Sequence, residues 1–223
     1  MNRWTILPVI LCALPHSSLG QNCVGDLNDD LVVNVQDVLL LFSHFGNSCS
    51  SDDIFDAQVE ISEIHYNPSS EQGDDSDWEF IELFNYEEGT VSLFNWSFTE
   101  GIACTFDETD SIPGLGYFVL ARHIDTLLTA MPPGANYRQW NANLGLSNNG
   151  ETLVLSRPDG SIADEVSYED NDGWVTPPDG MGPSLELMDP GLPNHEESSW
   201  SASLLIGGTP ASPNSMWGLS DPE

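Results

Sequence analysis

Oxygen-bearing side chains recur through residues 26–37 at a spacing suited to a hard cation. Asp26, Asn28, Asp30, Asn34 and Asp37 fall at loop positions 1, 3, 5, 9 and 12, and Val32 at position 7 would add its main-chain carbonyl. Ca²⁺ takes roughly six to eight oxygens at short range, and a tight loop feeding a helix supplies them at this spacing. Calcium is therefore the expected ion. Two other acidic runs remain open between solvated loops and a second cation site: Asp74, Asp75 and Asp77 with Glu71, and Asp170, Asn171 and Asp172. Carboxylates crowded in this way repel one another unless they spread out, take up protons or share a cation.

Catalytic chemistry finds little support in the residue pattern. His44, His65, His123 and His195 have no zinc-like spacing. Neither a nucleophile elbow nor a glycine-rich phosphate loop is present in the sequence. A glycosidase needs only two carboxylates, but with 36 acids such a pair is available by chance. The expectation is a non-enzyme with no catalytic residue to assign. Glu79 and Glu82, three apart, should face opposite sides of a regular strand, one of them turned inward with a partner. Trp96, Trp140, Trp174 and Trp200 are expected in the sandwich core or in edge packing. Of the four, Trp174, beside the Asp170–Asp172 loop, is the best candidate for an exposed sugar or peptide contact.

The calcium loop must be held by the segment next to it. Val35, Val38, Leu39, Phe42 and Phe45 keep the rhythm of an amphipathic helix, and Gly46 stops it. Asp37 falls in the first turn, where a carboxylate closes the ion site and meets the helix dipole. Cys23 and Cys49 bracket this segment. A disulfide between them would contribute about 3 kcal/mol by closing the intervening loop. Cys104, in the alternating stretch Ile102–Phe106, reads as a small buried thiol.

Residues 1–20 read as a signal peptide. Arg3 gives the positive start, Trp4 to Leu14 the apolar core, and Ser18-Leu19-Gly20 the small residues at the cleavage positions. The apolar run falls short of the ~20 residues that span a bilayer, and no later segment is a candidate for a transmembrane span. The expected location is secreted or extracytoplasmic, at the cell surface or in a periplasm, where a disulfide persists. The chain carries 36 acids against four basic residues, a formal charge of −32. Nucleic-acid binding rests on neutralising phosphates with Lys and Arg, so direct nucleic-acid binding is not expected. Seven Trp, nine Phe and five Tyr argue against disorder.

From residue 53 onwards the chain is punctuated like an all-β domain. Strands are expected at Val59–Ile64, Trp78–Phe84, Thr90–Leu93, Trp96–Thr99, Ala103–Phe106, Tyr117–Ala121, Thr152–Ser156 and Ile162–Tyr168. Asn148-Asn149-Gly150 and Pro158-Asp159-Gly160 are turn runs, and the second makes residues 152–168 a hairpin. A short helix fits Ile124–Ala130. Many short strands with regular turns suggest a sandwich.

Two resemblances organise these pieces. The loop and helix resemble one repeat of a type I dockerin, an EF-hand-like calcium module that docks onto cohesins and ends its loop in Asp, as here at Asp37. The dockerin pattern has two repeats and Gly at loop position 6. This chain has one repeat, and Leu31 stands at the Gly position, where a left-handed turn costs about 1–2 kcal/mol. The second resemblance is carried by Ile61-Ser62-Glu63-Ile64-His65-Tyr66-Asn67-Pro68, Trp78–Asn85, Leu93-Phe94-Asn95-Trp96, Gly116–Arg122, Leu146–Leu153, Gly182–Leu187, Trp200 and Gly207–Asn214. This series is similar to a bacterial lamin-tail domain, which implies an immunoglobulin-like β-sandwich used as a non-catalytic module.

The expected architecture is a signal peptide (1–20), a small helical dockerin-like calcium-loop module (21–52), an all-β, immunoglobulin-like sandwich (53–216) and a short tail (217–223). The expected function is exported, calcium-stabilised interaction or scaffolding, with a protein or envelope component as partner. The alternative is an accessory component of extracellular polysaccharide catabolism with a cohesin-like partner. A metal-dependent hydrolase using the Asp74 or Asp170 loop is the lesser possibility.

Overall fold

The computed structural model describes residues 59–141 and 143–218, all within one compact unit spanning residues 51–223. The expected signal peptide, the calcium loop from Asp26 to Asp37, its helix and the Cys23–Cys49 pair lie outside the described residues. In chain order the elements are β1 (Val59–His65), α1 (Asp75–Trp78), β2 (Phe80–Asn85), β3 (Val91–Ser92), β4 (Ser97–Glu100), β5 (Cys104–Thr105) and β6 (Ser111–Ile112). There follow β7 (Tyr117–Ala121), α2 (Ile124–Leu127), β8 (Asn136–Gln139), β9 (Glu151–Ser156), β10 (Ile162–Tyr168), β11 (Pro183–Leu187), a 3₁₀ turn (Glu197–Ser199) and β12 (Trp200–Ile206).

Six strands form one sheet in the order β12-β11-β1-β2-β7-β8, and four form a second in the order β10-β9-β4-β5. The pairings are antiparallel except β7 with β8, which run parallel with α2 in the connection between them. Alternation decides what each strand buries. Ile81 and Leu83 of β2, Phe118 and Leu120 of β7, and Leu185 and Leu187 of β11 point between the sheets. They meet Phe98, Leu153, Leu155 and Val166 from the second sheet in one core, together with Trp96, Trp140 and Trp200. Cys104 joins the same core as a free thiol, pushed up to about 11 by burial.

In β1 the alternation is broken. The register shifts between Ile61 and Glu63, so one extra residue enters the strand. Ile61 and Ile64 both face the core as a result, while Ser62 and Glu63 are turned out of it and remain fully buried. The bulge therefore sets a carboxylate on the far face of the sheet's central region.

One carboxylate ties the two sheets together. Asp164 of β10 accepts the Ile61 N–H at 2.6 Å and both oxygens face the Asn194 amide, at 2.8 and 2.9 Å. The bulge gives Ile61 a main-chain donor that its neighbours in the ladder leave to Asp164. Burial raises the pKa of Asp164, and these donors oppose the rise. The β9–β10 hairpin closes as its turn residues require: Arg157 N–H donates to Ser161 O at 2.8 Å, and Gly160 takes φ +84°.

Several elements differ from the sequence expectation. Trp78 lies in α1 rather than in β2, because Asp74 caps that turn by accepting the Ser76 N–H at 3.0 Å. β6, β8, β11 and β12 were not expected as strands from alternation. The helix expected at Ile124–Ala130 is shorter, ending at Leu127. Trp174, by contrast, follows the favoured expectation: it is 9% exposed, packs against Trp200 with ring centroids 6.2 Å apart and belongs to the core, not to an open ligand surface.

Asp164→Ala should destabilise the sandwich by about 1–3 kcal/mol, because a buried donor loses its acceptor. Urea unfolding of the full chain would read this as a lower midpoint at unchanged slope.

Candidate functional site

The far face of the large sheet carries the most unusual chemistry among the described residues. Glu63 of β1 lies opposite Glu82 of β2 on one side and opposite Glu186 of β11 on the other. All three are fully buried. Side chains directly opposite on adjacent strands approach to roughly 5 Å between their Cβ atoms. Three ionised carboxylates in line there would repel strongly, and each would lose its hydration.

Residues 207–217 lie across this row as a strap and supply its donors. The main-chain N–H groups of Thr209, Ala211 and Met216 donate to Glu63 at 2.8 Å, Glu82 at 2.6 Å and Glu186 at 3.2 Å. Ser62 donates to Glu82 at 2.8 Å, Ser215 to Glu186 at 2.8 Å, and Ser184 to Glu63. Asn214 donates to the Ser62 and Leu187 carbonyls, at 2.8 and 2.9 Å. Trp217 ends the strap edge-on to Phe84, centroids 4.9 Å apart. Gly208 lets the strap descend this far: its φ is +74°, and a Cβ there would stand 2.0 Å from Glu63 Oε1.

The Thr209 hydroxyl bridges two of the carboxyl groups. Its Oγ1 lies 3.1 Å from Glu63 Oε2 and 2.9 Å from Glu186 Oε1. A hydroxyl has one proton to give. That proton can be split between the two acceptors, and a protonated Glu63 donating back would make both contacts full hydrogen bonds. Burial, then the charge of Glu186, pushes Glu63 up to about 8. Burial, then the charge of Glu63, also holds Glu82 well above the usual carboxylate range. Carboxyl groups held above their usual range in this way let the row latch the strap with less charge repulsion.

The acidic runs left open between solvated loops and a second ion site have other partners. Asp74 caps α1, and its Ser76 contacts lower its pKa. Asp77 meets His123 at 3.1 Å. Asp170 accepts from Asn171, and Asp172 takes φ +56° in the turn before Trp174. Among the described residues no three His, Cys, Asp or Glu side chains are grouped to hold a metal ion. Glu79 and Glu82 differ from the sequence expectation: Glu79 precedes β2 and pairs with Arg122 at 2.8 Å, while Glu82 is buried on the face away from the core. His65 sits between the Trp78 and Gly182 carbonyls at 2.9 and 3.1 Å, and burial lowers its pKa. These groups brace the fold.

The sequence profile of the lamin tail domain matches residues 56–170. The chain belongs to the lamin tail domain family. No curated protein matches it. The match covers β1 through β10 of this lamin tail sandwich, whose immunoglobulin-like, mostly β architecture agrees with the family. Membership points to protein interaction. Glu186, β11, β12 and the strap lie beyond the matched residues, yet they complete the large sheet beside β1. The Glu63–Glu82–Glu186 row escaped the sequence reading because it depends on the bulge in β1 and on β11, which alternation does not mark as a strand.

The raised pKa of Glu63 sets a pH dependence. Well below pH 4.5, Glu63 is protonated in both folded and unfolded chains, and the latch has its full stability. As pH rises towards about 8 the unfolded chain releases a proton that the folded latch retains, so stability falls. Glu63→Gln mimics the protonated form, its amide donating to Thr209, and should flatten that slope. Urea midpoints of both proteins between pH 5 and 9 test this; parallel slopes would place the proton elsewhere.

Proposed function

We propose that the chain is an exported, non-catalytic interaction module, stabilised by calcium at its N-terminal loop, whose lamin tail sandwich presents a binding surface to a protein or envelope component. One observation carries the reading. The buried carboxylates and His65 are occupied by internal partners, whereas β12, at the edge of the large sheet, exposes Leu204, Leu205 and Ile206 in succession. Exposed apolar patches on soluble proteins mark interaction sites more often than catalytic ones. Calcium would be held by Asp26, Asn28, Asp30, the Val32 carbonyl, Asn34 and Asp37.

The dockerin-like loop favours one second reading: an accessory component of extracellular polysaccharide breakdown, attached to a cohesin-like partner. Calcium-dependent binding of a purified cohesin would support it. Among the described residues no helix is long and apolar enough to cross a bilayer.

Two measurements test the main reading. Calorimetric titration of the chelator-stripped secreted protein should detect calcium binding that falls at least about tenfold in Asp26→Ala/Asp30→Ala, as expected when two carboxylate ligands are lost; unchanged affinity would move the ion away from this loop. A photo-cross-linker on Leu205→Cys should capture a discrete protein in the extracytoplasmic fraction of the producing cell. Loss of that adduct in a background of Leu204→Lys would tie it to β12, and absence of any adduct would count against this surface.

A further inference from the structure

The second sheet, β10-β9-β4-β5, carries a groove of about 700 Å³ on the face turned away from the core. Clefts that take small ligands run from roughly 300 to 1,000 Å³. β9 forms the floor. Its Leu153 and Leu155 enter the core, so Thr152, Val154 and Ser156 face the groove.

Both neighbours of β9 are irregular. The register shifts between Phe98 and Glu100 in β4, and between Ile162 and Asp164 in β10. A bulge bends its strand and re-aims the side chains beside it. Here the two shifts set Glu100 and Glu165 opposite the same residue, Val154, one on each side. Two strand spacings put their Cα atoms roughly 10 Å apart. Both carboxylates are exposed, whereas those of Asp164 and Glu63 are spent on internal donors. In the next row Ser97 and Ile162 flank Ser156. Thr99 and Ser156 share a hydrogen bond at 3.1 Å, as do Thr152 and Ser167 at 2.8 Å. Arg157 lines one end, its guanidinium above the Trp96 ring and its Nη1 donating to Ile162 O at 2.7 Å.

This pattern selects the ligand. A sugar ring has C–H faces and a hydroxylated rim. The groove offers its complement, the Val154 side chain bordered by two carboxylates and a set of hydroxyls. Hydroxyls donating to a carboxylate form charge-assisted bonds, and Ser and Thr hydroxyls both donate and accept. β9 lies between two ladders, so a peptide has no strand edge to extend there. The paired carboxylates and the formal charge of −32 repel anionic polymers.

We propose that the outer face of the second sheet binds a neutral oligosaccharide, one sugar ring seated on Val154 with its rim hydroxyls donating to Glu100 and Glu165. The neighbouring hydroxyls of Thr99, Thr152 and Ser156 meet the rest of that rim. This function goes beyond the protein-interaction reading and uses the sheet that does not contain β12.

The test titrates the full chain with cellohexaose, maltohexaose and the N-acetylglucosamine hexamer as neutral probes, hexagalacturonate as the anionic probe and hexalysine as a cationic peptide. At least one neutral hexasaccharide should shift the amide resonances of Thr152, Val154 and Ser156, with an affinity insensitive to added salt. Glu100→Gln/Glu165→Gln, two changes at exposed positions, should weaken that binding at least about tenfold and leave the rest of the amide spectrum unchanged. Silence from all three neutral probes, shifts confined to other strands, equal binding of hexagalacturonate, binding of hexalysine alone, or full affinity in the double variant would each overturn the proposal. Each of these results leaves the β12 interaction surface to be decided by its own cross-linking.

Discussion

Three carboxyl groups side by side in a dry place set the terms for one whole face of this sandwich. Glu186, Glu63 and Glu82 stand on consecutive strands and are sealed from water. A buried carboxylate without donors is among the most costly groups a protein can hold. The face therefore needs hydrogen-bond donors, and the irregular segment 207–217 delivers three of its own main-chain N–H groups to the row. The same bonds solve the strap's problem, since a buried segment outside any ladder must also find acceptors. Row and strap satisfy each other, and the raised pKa values of Glu63 and Glu82 lessen the repulsion.

This arrangement links the ends of the folded unit. β1 opens it and sits between β2, its near neighbour in sequence, and β11, more than a hundred residues later. Such a pairing carries a large loop-closure cost. Its return comes from the core residues Leu185 and Leu187 on one side of β11 and from Glu186 on the other. The lamin tail match ends at residue 170, but the sheet that it begins is completed by the residues after it.

The acidity of the chain divides into separate physical uses. Some carboxylates are buried acceptors, as in the row and at Asp164, where they join elements remote in sequence. Some cap local turns, as Asp74 and Asp159 do by accepting from the residue two positions on. Others, including Glu71, Glu196 and Glu197, remain at the surface near the uncharged edge of β12. There they set a field that favours cations and repels a second copy. Composition gives the net charge but does not distinguish these uses.

The sequence by itself determined what depends on local pattern. Alternation located β1, β2, β7, β9 and β10, turn residues closed the β9–β10 hairpin, and aromatic content required a core that Trp96, Trp140 and Trp200 enter. The motif series identified the lamin tail family. Tertiary structure decided what depends on which strands become neighbours. β8 has no apolar alternation and owes its place to parallel pairing with β7. β12 reads as a serine-rich stretch followed by an apolar run, and only its place beside β11 makes it an edge strand. Beside its acidic loop Trp174 could have faced either way, and packing onto Trp200 decides for the core. Glu82 fits a polar strand position, but Glu63 shares the phase of Ile61 in regular alternation and Glu186 lies in a segment that alternation does not mark as a strand. Strand order and a bulge brought them into line beneath the strap, because side-chain direction is a local property whereas burial and charge interaction depend on what the rest of the chain places opposite.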